Sequence, residues 1–252
     1  MTNKLKYFVG NWKMFGDFSS FKIIYKINQF SRKSKSLFKK KIILCVPNTL
    51  IYFFKKKLKS KYISLGVQNC HQHQDYGPFT GNVSAKMIKN SGASYIILGH
   101  SENRATGETN KLIKKKIDSA LKNNLTVILC IGETLKEKKS KNTFRVLKKQ
   151  ISNCLNKKQN LSKIIIAYEP VWSIGSNKIL EPKELKKVVE YIKFQYGKTL
   201  NTKKQPLVLY GGSVNEKNIK LFSSINEIDG FLIGGASQSS KKFIDIIKNY
   251  YK

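Results

Sequence analysis

Arginine is scarce in this chain. Only Arg32, Arg104 and Arg145 occur among its 252 residues, against 45 lysines. Proteins that read a nucleic-acid sequence lean on the planar guanidinium fork for bidentate contacts to guanine and phosphate. A sequence-specific nucleic-acid partner is therefore not expected. Acidic residues are few as well, and 15 Asp and Glu against 48 Lys and Arg leave a formal net charge of +33. The lysines recur along the chain in KSKSLFKKK, FKKKLKSK, IKKK and KEKKSK. That spread favours a solvated, lysine-rich exterior. Such a surface repels itself and attracts anions.

Long apolar runs are missing. None exceeds about six residues, far short of a bilayer span, so no membrane partner is expected. The first residues, MTNKLKYFVGNWKMFGD, lack the apolar core of roughly 7–15 residues that marks a signal peptide. Cysteine is limited to Cys45, Cys70, Cys130 and Cys154, with no CxxC pair. This usage excludes a disulfide framework and fits reduced thiols in a cytoplasmic protein. Cys70, His71 and His73 place three possible metal ligands together, but a fourth at regular spacing is lacking, so no metal is expected.

What is present is a repeated pattern. Eight short apolar runs of β type follow one another: 7–9, 42–46, 63–67, 95–98, 127–131, 164–168, 207–210 and 231–233. They are nearly continuous rather than alternating, as in parallel strands buried on both faces. Helical stripes lie between them. Ile113, Ile117, Ala120 and Leu121 share a face, as do Phe144, Leu147, Ile151 and Leu155. So do Leu185, Val188, Val189, Ile192 and Tyr196, and Phe243, Ile246, Ile247 and Tyr250. Strand then helix, eight times, with no linker, implies α/β architecture and a single (β/α)8 barrel over residues 1–252. A doubly wound open sheet competes, but GxGxxG is absent after the first strand.

Barrels of this kind carry their chemistry at the C-terminal strand ends. Asn11 and Lys13 follow the first run, His100 the fourth and Glu169 the sixth. A carboxylate ending a fully apolar strand suits a general base, and a strand-end ion pair with a lysine is the plainer alternative. Gly211-Gly212-Ser213 follows the seventh run and Gly234-Gly235 the eighth. Paired glycine turns there suit a phosphate, because backbone N–H groups can converge on it. Two tight turns needing positive φ would give the same residues.

Phe8-Val9-Gly10-Asn11-Trp12-Lys13-Met14, Leu98-Gly99-His100-Ser101-Glu102, Ala167-Tyr168-Glu169-Pro170-Val171-Trp172, Tyr210-Gly211-Gly212-Ser213-Val214 and Gly230 to Ser237 together resemble the triosephosphate isomerase family in order and spacing. The resemblance implies interconversion of dihydroxyacetone phosphate and glyceraldehyde 3-phosphate through an enediolate, with no metal or organic cofactor. As generally described for that family, Glu169 would be the base and neutral His100 the electrophile. Lys13 would supply fixed positive charge and Asn11 a hydrogen bond. Gly175, Ser213, Gly234 and Gly235 would hold the phosphate.

The resemblance also implies a lid over Ile174 to Leu180, with Pro170-Val171-Trp172 as its first hinge and closure that protects the enediolate. Here the sequence departs from the family. Asn177 replaces a usual glycine, and Lys178-Ile179-Leu180 replaces a small second hinge. A homodimer is implied too, with the Cys70 to Val83 connection docking on a partner and Thr80 near the partner's Asn11 and Glu102. Asn82 and Asn103 stand where the family usually pairs Glu with Arg. Losing both ends of an ion pair costs far less than losing one. Two rivals remain: another phosphosugar isomerase, and a barrel that binds polyanions through its lysines.

Overall fold

The computed structural model describes residues 4–35, 37–176 and 178–252, so Asn177 lies outside the described residues. Among these, eight parallel strands close into a barrel in chain order. They are β1 (Lys6–Asn11), β2 (Lys40–Cys45), β3 (Ile63–Val67), β4 (Tyr95–Leu98), β5 (Thr126–Ile131), β6 (Ile164–Tyr168), β7 (Leu207–Tyr210) and β8 (Gly230–Ile233). Closure is made by β1, where Val9 is opposite Ile43 on one side and Leu232 on the other.

The continuous apolar strands divide by period two into two layers. Val9, Ile43, Ile97, Ile128, Ile165, Leu209 and Leu232 point inward with Cys45 and Cys130 and fill the barrel. Their neighbours Phe8, Ile42, Leu44, Leu98, Leu129, Ile166 and Val208 point outward beneath the helices. The strands are thus largely buried on both faces. All four cysteines are free and buried. Among the described residues, no group of three or more His, Cys, Asp or Glu is placed to hold a metal. His71 and His73 pack at a tilt against Phe79, with ring centroids 4.3 Å and 5.2 Å away.

The outer layer is formed by α1 (Phe21–Lys33), α2 (Asn48–Lys57), α3 (Ala85–Asn90), α4 (Ser101–Ala105), α5 (Asn110–Lys122), α6 (Leu135–Lys139), α7 (Thr143–Cys154), α8 (Pro182–Leu200) and α9 (Ser240–Tyr250). The stripes on α5, α8 and α9 face the core. On α7 the stripe is shorter than its spacing implies. Phe144 stays 44% exposed, and Leu155 lies beyond the helix end. The pattern of eight helices also breaks once. Between β7 and β8 only a 3-10 turn, Ile219–Phe222, forms, and it still buries Ile219 and Phe222.

One arginine acts as a staple. Arg104 donates through Nε to the Gly99 carbonyl at 2.7 Å, through Nη2 to the Cys130 carbonyl at 3.2 Å and through Nη1 to Asn110 at 2.7 Å. The ends of β4 and β5 are held together by that fork.

At the opposite end of the barrel, Lys6 is fully buried and hydrogen-bonded to the Ile228 carbonyl. Burial lowers its pKa from 10.5 to about 8. Below that value, folded and unfolded chains both hold the proton, and the buried charge exerts its full penalty. Between about 8 and 10.5 the unfolded chain binds a proton that the folded chain has released, so stability rises with pH there. The native protein should therefore gain melting temperature relative to Lys6→Met across that window. A constant difference would mean that Lys6 keeps its proton.

Candidate active site

The C-terminal strand ends surround a cavity of about 560 Å³. Asn11, Lys13, His100, Glu169, Ile174, Gly175, Ser213, Gly234 and Gly235, all singled out from the sequence, line it together.

Asn11 ends β1, and its side-chain oxygen accepts the Lys13 N–H at 3.1 Å. Lys13 sits at φ 57°, the left-handed region that non-glycine residues rarely occupy. This turn brings the side chain over the barrel mouth, where its ammonium pairs with Glu102. Such strain survives where surrounding structure enforces it, and it clusters at functional sites.

His100 ends the connection from β4 and caps α4. Its Nδ1 accepts the backbone N–H of Glu102 at 3.2 Å. An accepting Nδ1 carries no hydrogen, so the imidazole is the neutral tautomer with its hydrogen on Nε2. That nitrogen faces Glu169 Oε1 across 3.7 Å. Both side chains are almost fully buried.

Glu169 leaves β6 with its N–H donated to the Ile131 carbonyl at 2.8 Å. Its Oε2 is buried and has no hydrogen-bond partner among the described residues. Gly211 makes room for the carboxylate: a Cβ there would lie 2.5 Å from Glu169 Cγ and 3.0 Å from Oε1. The site therefore holds an unpartnered carboxylate oxygen beside an N–H donor, in a cavity large enough for a small phosphorylated sugar.

The glycine turns form the opposite wall. Added Cβ atoms at Gly235 and Gly175 would meet open space, and at Gly234 the nearest atom would be Lys13 Cε at 3.8 Å. Those backbones face the cavity without side chains between. Ser213 does not offer its hydroxyl hydrogen to the cavity, because it donates to the Ser173 carbonyl at 2.5 Å.

The residues expected to form a lid divide. Pro170 leads into the 3-10 turn Val171–Ser173, and Ile174 and Gly175 reach the cavity. Trp172 points away and donates through its indole N–H to Glu133 Oε1 at 2.9 Å. The Lys138 ammonium lies 3.9 Å from the Trp172 ring centroid. Leu180 is not a loose hinge residue. It is 1% exposed in the core, and its N–H donates to the Tyr210 hydroxyl at 3.1 Å. Leu180 is thus fixed to the core two residues before α8 begins.

Glu133 was not among the residues that the sequence pointed to. It also accepts the Tyr168 hydroxyl at 3.2 Å, and its backbone carbonyl accepts the Val171 N–H at 3.0 Å. Burial raises its pKa, while the bonds from Trp172 and Tyr168 pull the other way. The signal was available: Glu133 comes two residues after the end of β5, where the same strand-end rule points. Lys217 and Lys242 also line the cavity and were lost among the many lysines.

On the far side of Lys13, a second cavity of about 350 Å³ is lined by Asn11, Lys13, Met14, Glu102 and Asn103, among others. Met14 beside it is fully exposed. Thr80 and Asn82 are exposed in the connection after β3.

The chain matches the family model described as triosephosphate isomerase over residues 6–250. It is 38% identical to the triosephosphate isomerase of Dictyoglomus thermophilum over 252 residues, covering 97% of this chain and 99% of that one. It is also 38% identical to the triosephosphate isomerase of Zygosaccharomyces bailii, covering 95% and 96%. The crystal structure of triosephosphate isomerase from Bartonella henselae superposes with a TM-score of 0.88 at 34% identity, covering 98% of this chain and 99% of that one. With its closed eight-stranded barrel, this chain belongs to the triosephosphate isomerase family.

Proposed function

We propose that the barrel mouth interconverts dihydroxyacetone phosphate and glyceraldehyde 3-phosphate. The observation that carries this reading is the buried pair of Glu169 and His100, an unpartnered carboxylate oxygen beside an Nε2–H donor. Glu169 takes a proton from the carbon next to the carbonyl, and the electron pair moves to the carbonyl oxygen to give an enediolate. The same carboxyl returns a proton to the neighbouring carbon. His100 donates to the carbonyl oxygen through Nε2 and passes protons between the two oxygens. Lys13 places a cation beside the developing negative charge, and Asn11 holds the Lys13 backbone. Backbone N–H groups at Gly175, Ser213, Gly234 and Gly235 receive the phosphate. One proton leaves carbon, one is delivered to the neighbouring carbon, and the electron pair stays within the substrate, so the reaction requires no redox partner.

The lid is proposed to run from Pro170 to Leu180, moving at the Val171–Trp172 end against a fixed Leu180. A second copy of the chain is proposed to cover Met14, Thr80 and the cavity beside Glu102. The exposed Met14, Tyr76 and Phe79 support this, and sedimentation at graded concentrations tests it. Four reduced, buried cysteines suit a cytoplasmic setting.

The direct test is a coupled assay with glyceraldehyde 3-phosphate, repeated in D₂O. Solvent deuterium on carbon in the product is expected. Turnover without exchange into the product or the recovered substrate would argue for hydride transfer instead of a proton base. A sharper test uses Gly211→Ala. Its methyl would displace the Glu169 carboxylate by about 1 Å, and misplacement on that scale costs roughly a hundredfold. A folded Gly211→Ala protein with native kcat would detach Glu169 from the chemistry.

A further inference from the structure

The lysines appear dispersed along the chain, but the acids that could balance them are not. Between Asp17 and Asp75 there is no Asp or Glu, while the same 57 residues hold twelve lysines and Arg32. That stretch forms α1, β2, α2 and β3, which are neighbours in the barrel wall. Among the described residues, no cation from it takes part in an ion pair. Elsewhere the lysines do find carboxylates, as Lys116 finds Glu108 and Lys186 finds Glu227. One wall of the molecule is thus cationic without local compensation.

This wall contains a groove of about 470 Å³, lined by Asn28, Arg32, Lys59, Ser60, Lys61 and Tyr62. It lies where α1 ends and the chain enters β3, at the opposite end of the strands from the barrel mouth. Three cations, a phenol and two uncharged polar side chains line it, and no carboxylate does. The Ser60 hydroxyl is hydrogen-bonded to the Asn28 side-chain oxygen, which ties the loop to α1. Aromatic rings are interleaved with the charges. The Lys61 ammonium lies 6.0 Å from the Tyr62 ring centroid and the Lys56 ammonium 5.6 Å from that of Tyr52. Tyr25, half exposed, precedes Asn28 and Arg32 by three and seven residues, and so shares their face of α1.

We propose that this wall binds single-stranded nucleic acid without base preference, with phosphates on Arg32, Lys59 and Lys61 and a base stacked on Tyr62. Uncompensated cations alone would suit any polyanion. Rings set among them suit a strand whose bases are free to stack. A duplex keeps its bases inside its own stack and offers the tyrosines nothing. Lysine supplies most of the charge, and the groove's one guanidinium fork, Arg32, is assigned to a phosphate, so contact is blind to sequence. The inference does not depend on the chemistry at the mouth.

The test is fluorescence anisotropy with a short labelled oligouridylate, titrated with the full-length protein at low salt and across a salt series. The groove variant is Arg32→Gln/Lys59→Gln/Lys61→Gln. The charge-matched control is Lys148→Gln/Lys157→Gln/Lys187→Gln on the α7–α8 wall, where all three lysines are exposed. The groove variant should lose about tenfold or more in affinity, and its log K against log salt slope should shrink by about 2, near 0.7 per lost phosphate contact. The control should lose less than about twofold. Isomerase activity should be native in both, which also reports that both fold. Tyr62→Leu should weaken oligouridylate binding about fivefold or more and leave inorganic polyphosphate binding unchanged. Three results would overturn the proposal: no binding at low salt, equal losses in the two triple variants, or a Tyr62→Leu protein that binds both ligands as the native one does.

Discussion

Lys13→Ala is expected to abolish detectable isomerase activity while the protein stays folded with 44 lysines in place. By number this residue means little, one cation among 45, and its place two residues after Asn11 is what singles it out in the sequence. Position sets it apart. Its backbone is held at φ 57° and braced by Asn11, so the ammonium is aimed before substrate arrives. A fixed charge at a partly desolvated site stabilises a developing oxyanion far more than a diffuse surface field does. Removing one such group typically costs about a hundred- to a thousandfold in kcat. Lys13→Gly makes the test sharper. Glycine accepts φ 57° without the cost of about 1 kcal/mol borne by a side chain, and an exposed ion pair of the Lys13–Glu102 kind is worth about 0–1 kcal/mol. The glycine variant should therefore melt no lower than the native protein and still be inactive. Activity within a few-fold of native in either variant would assign the electrostatic work to the bulk field.

Glu169→Asp should fold normally and lose about a hundredfold in kcat, with a much smaller change in KM. The carboxylate is enclosed by His100, the Gly211 backbone and the end of β6, and nothing nearby can advance to compensate for a shorter arm. Shortening by one methylene withdraws the base by about 1 Å, and proton transfer is steep in distance. Buried volume falls slightly, so stability should change little. An unchanged kcat would remove Glu169 from the role of base. A fall in kcat/KM that came from KM alone would recast it as a binding group.

Most of the architecture was legible because both strand faces are apolar. Ile63–Val67, Tyr95–Leu98, Ile164–Tyr168 and Leu207–Tyr210 run where their apolar stretches run. Polar residues that pair along the barrel edge were harder to read. Lys6 and Lys40 begin β1 and β2 although neither is apolar, since their backbones belong to the ladder whatever their side chains are. Val46, apolar and next in line, lies past the end of β2. The connection from β7 to β8 was too short in apolar period to form an α-helix, and counting elements hid that.

Around the mouth, the strand-end rule found residues that stand alone after an apolar run, such as His100 and Glu169. It passed over Glu133, whose importance comes from Trp172 and Tyr168, one on the proposed lid and one on a different strand. Leu180 could not be read as an anchor without Tyr210, thirty residues away, to receive its N–H. The acid-free stretch from 18 to 74 was in the sequence all along, but a net charge summed over the whole chain erases it.

The two tryptophans stand in opposite circumstances. Trp12 is sealed among Phe15 and Phe54, with no accessible surface. Trp172 is at the proposed first hinge, its indole hydrogen-bonded to a carboxylate and covered by an ammonium. Any swing of the loop that parts Trp172 from Glu133 and Lys138 changes the polarity and quenching around one chromophore and leaves the other untouched. With Trp12 replaced by Phe, emission wavelength and intensity become a direct gauge of loop position. Stopped-flow mixing with a phosphate-bearing substrate analogue would then time the proposed closing step in the Trp12→Phe protein, with no dye attached.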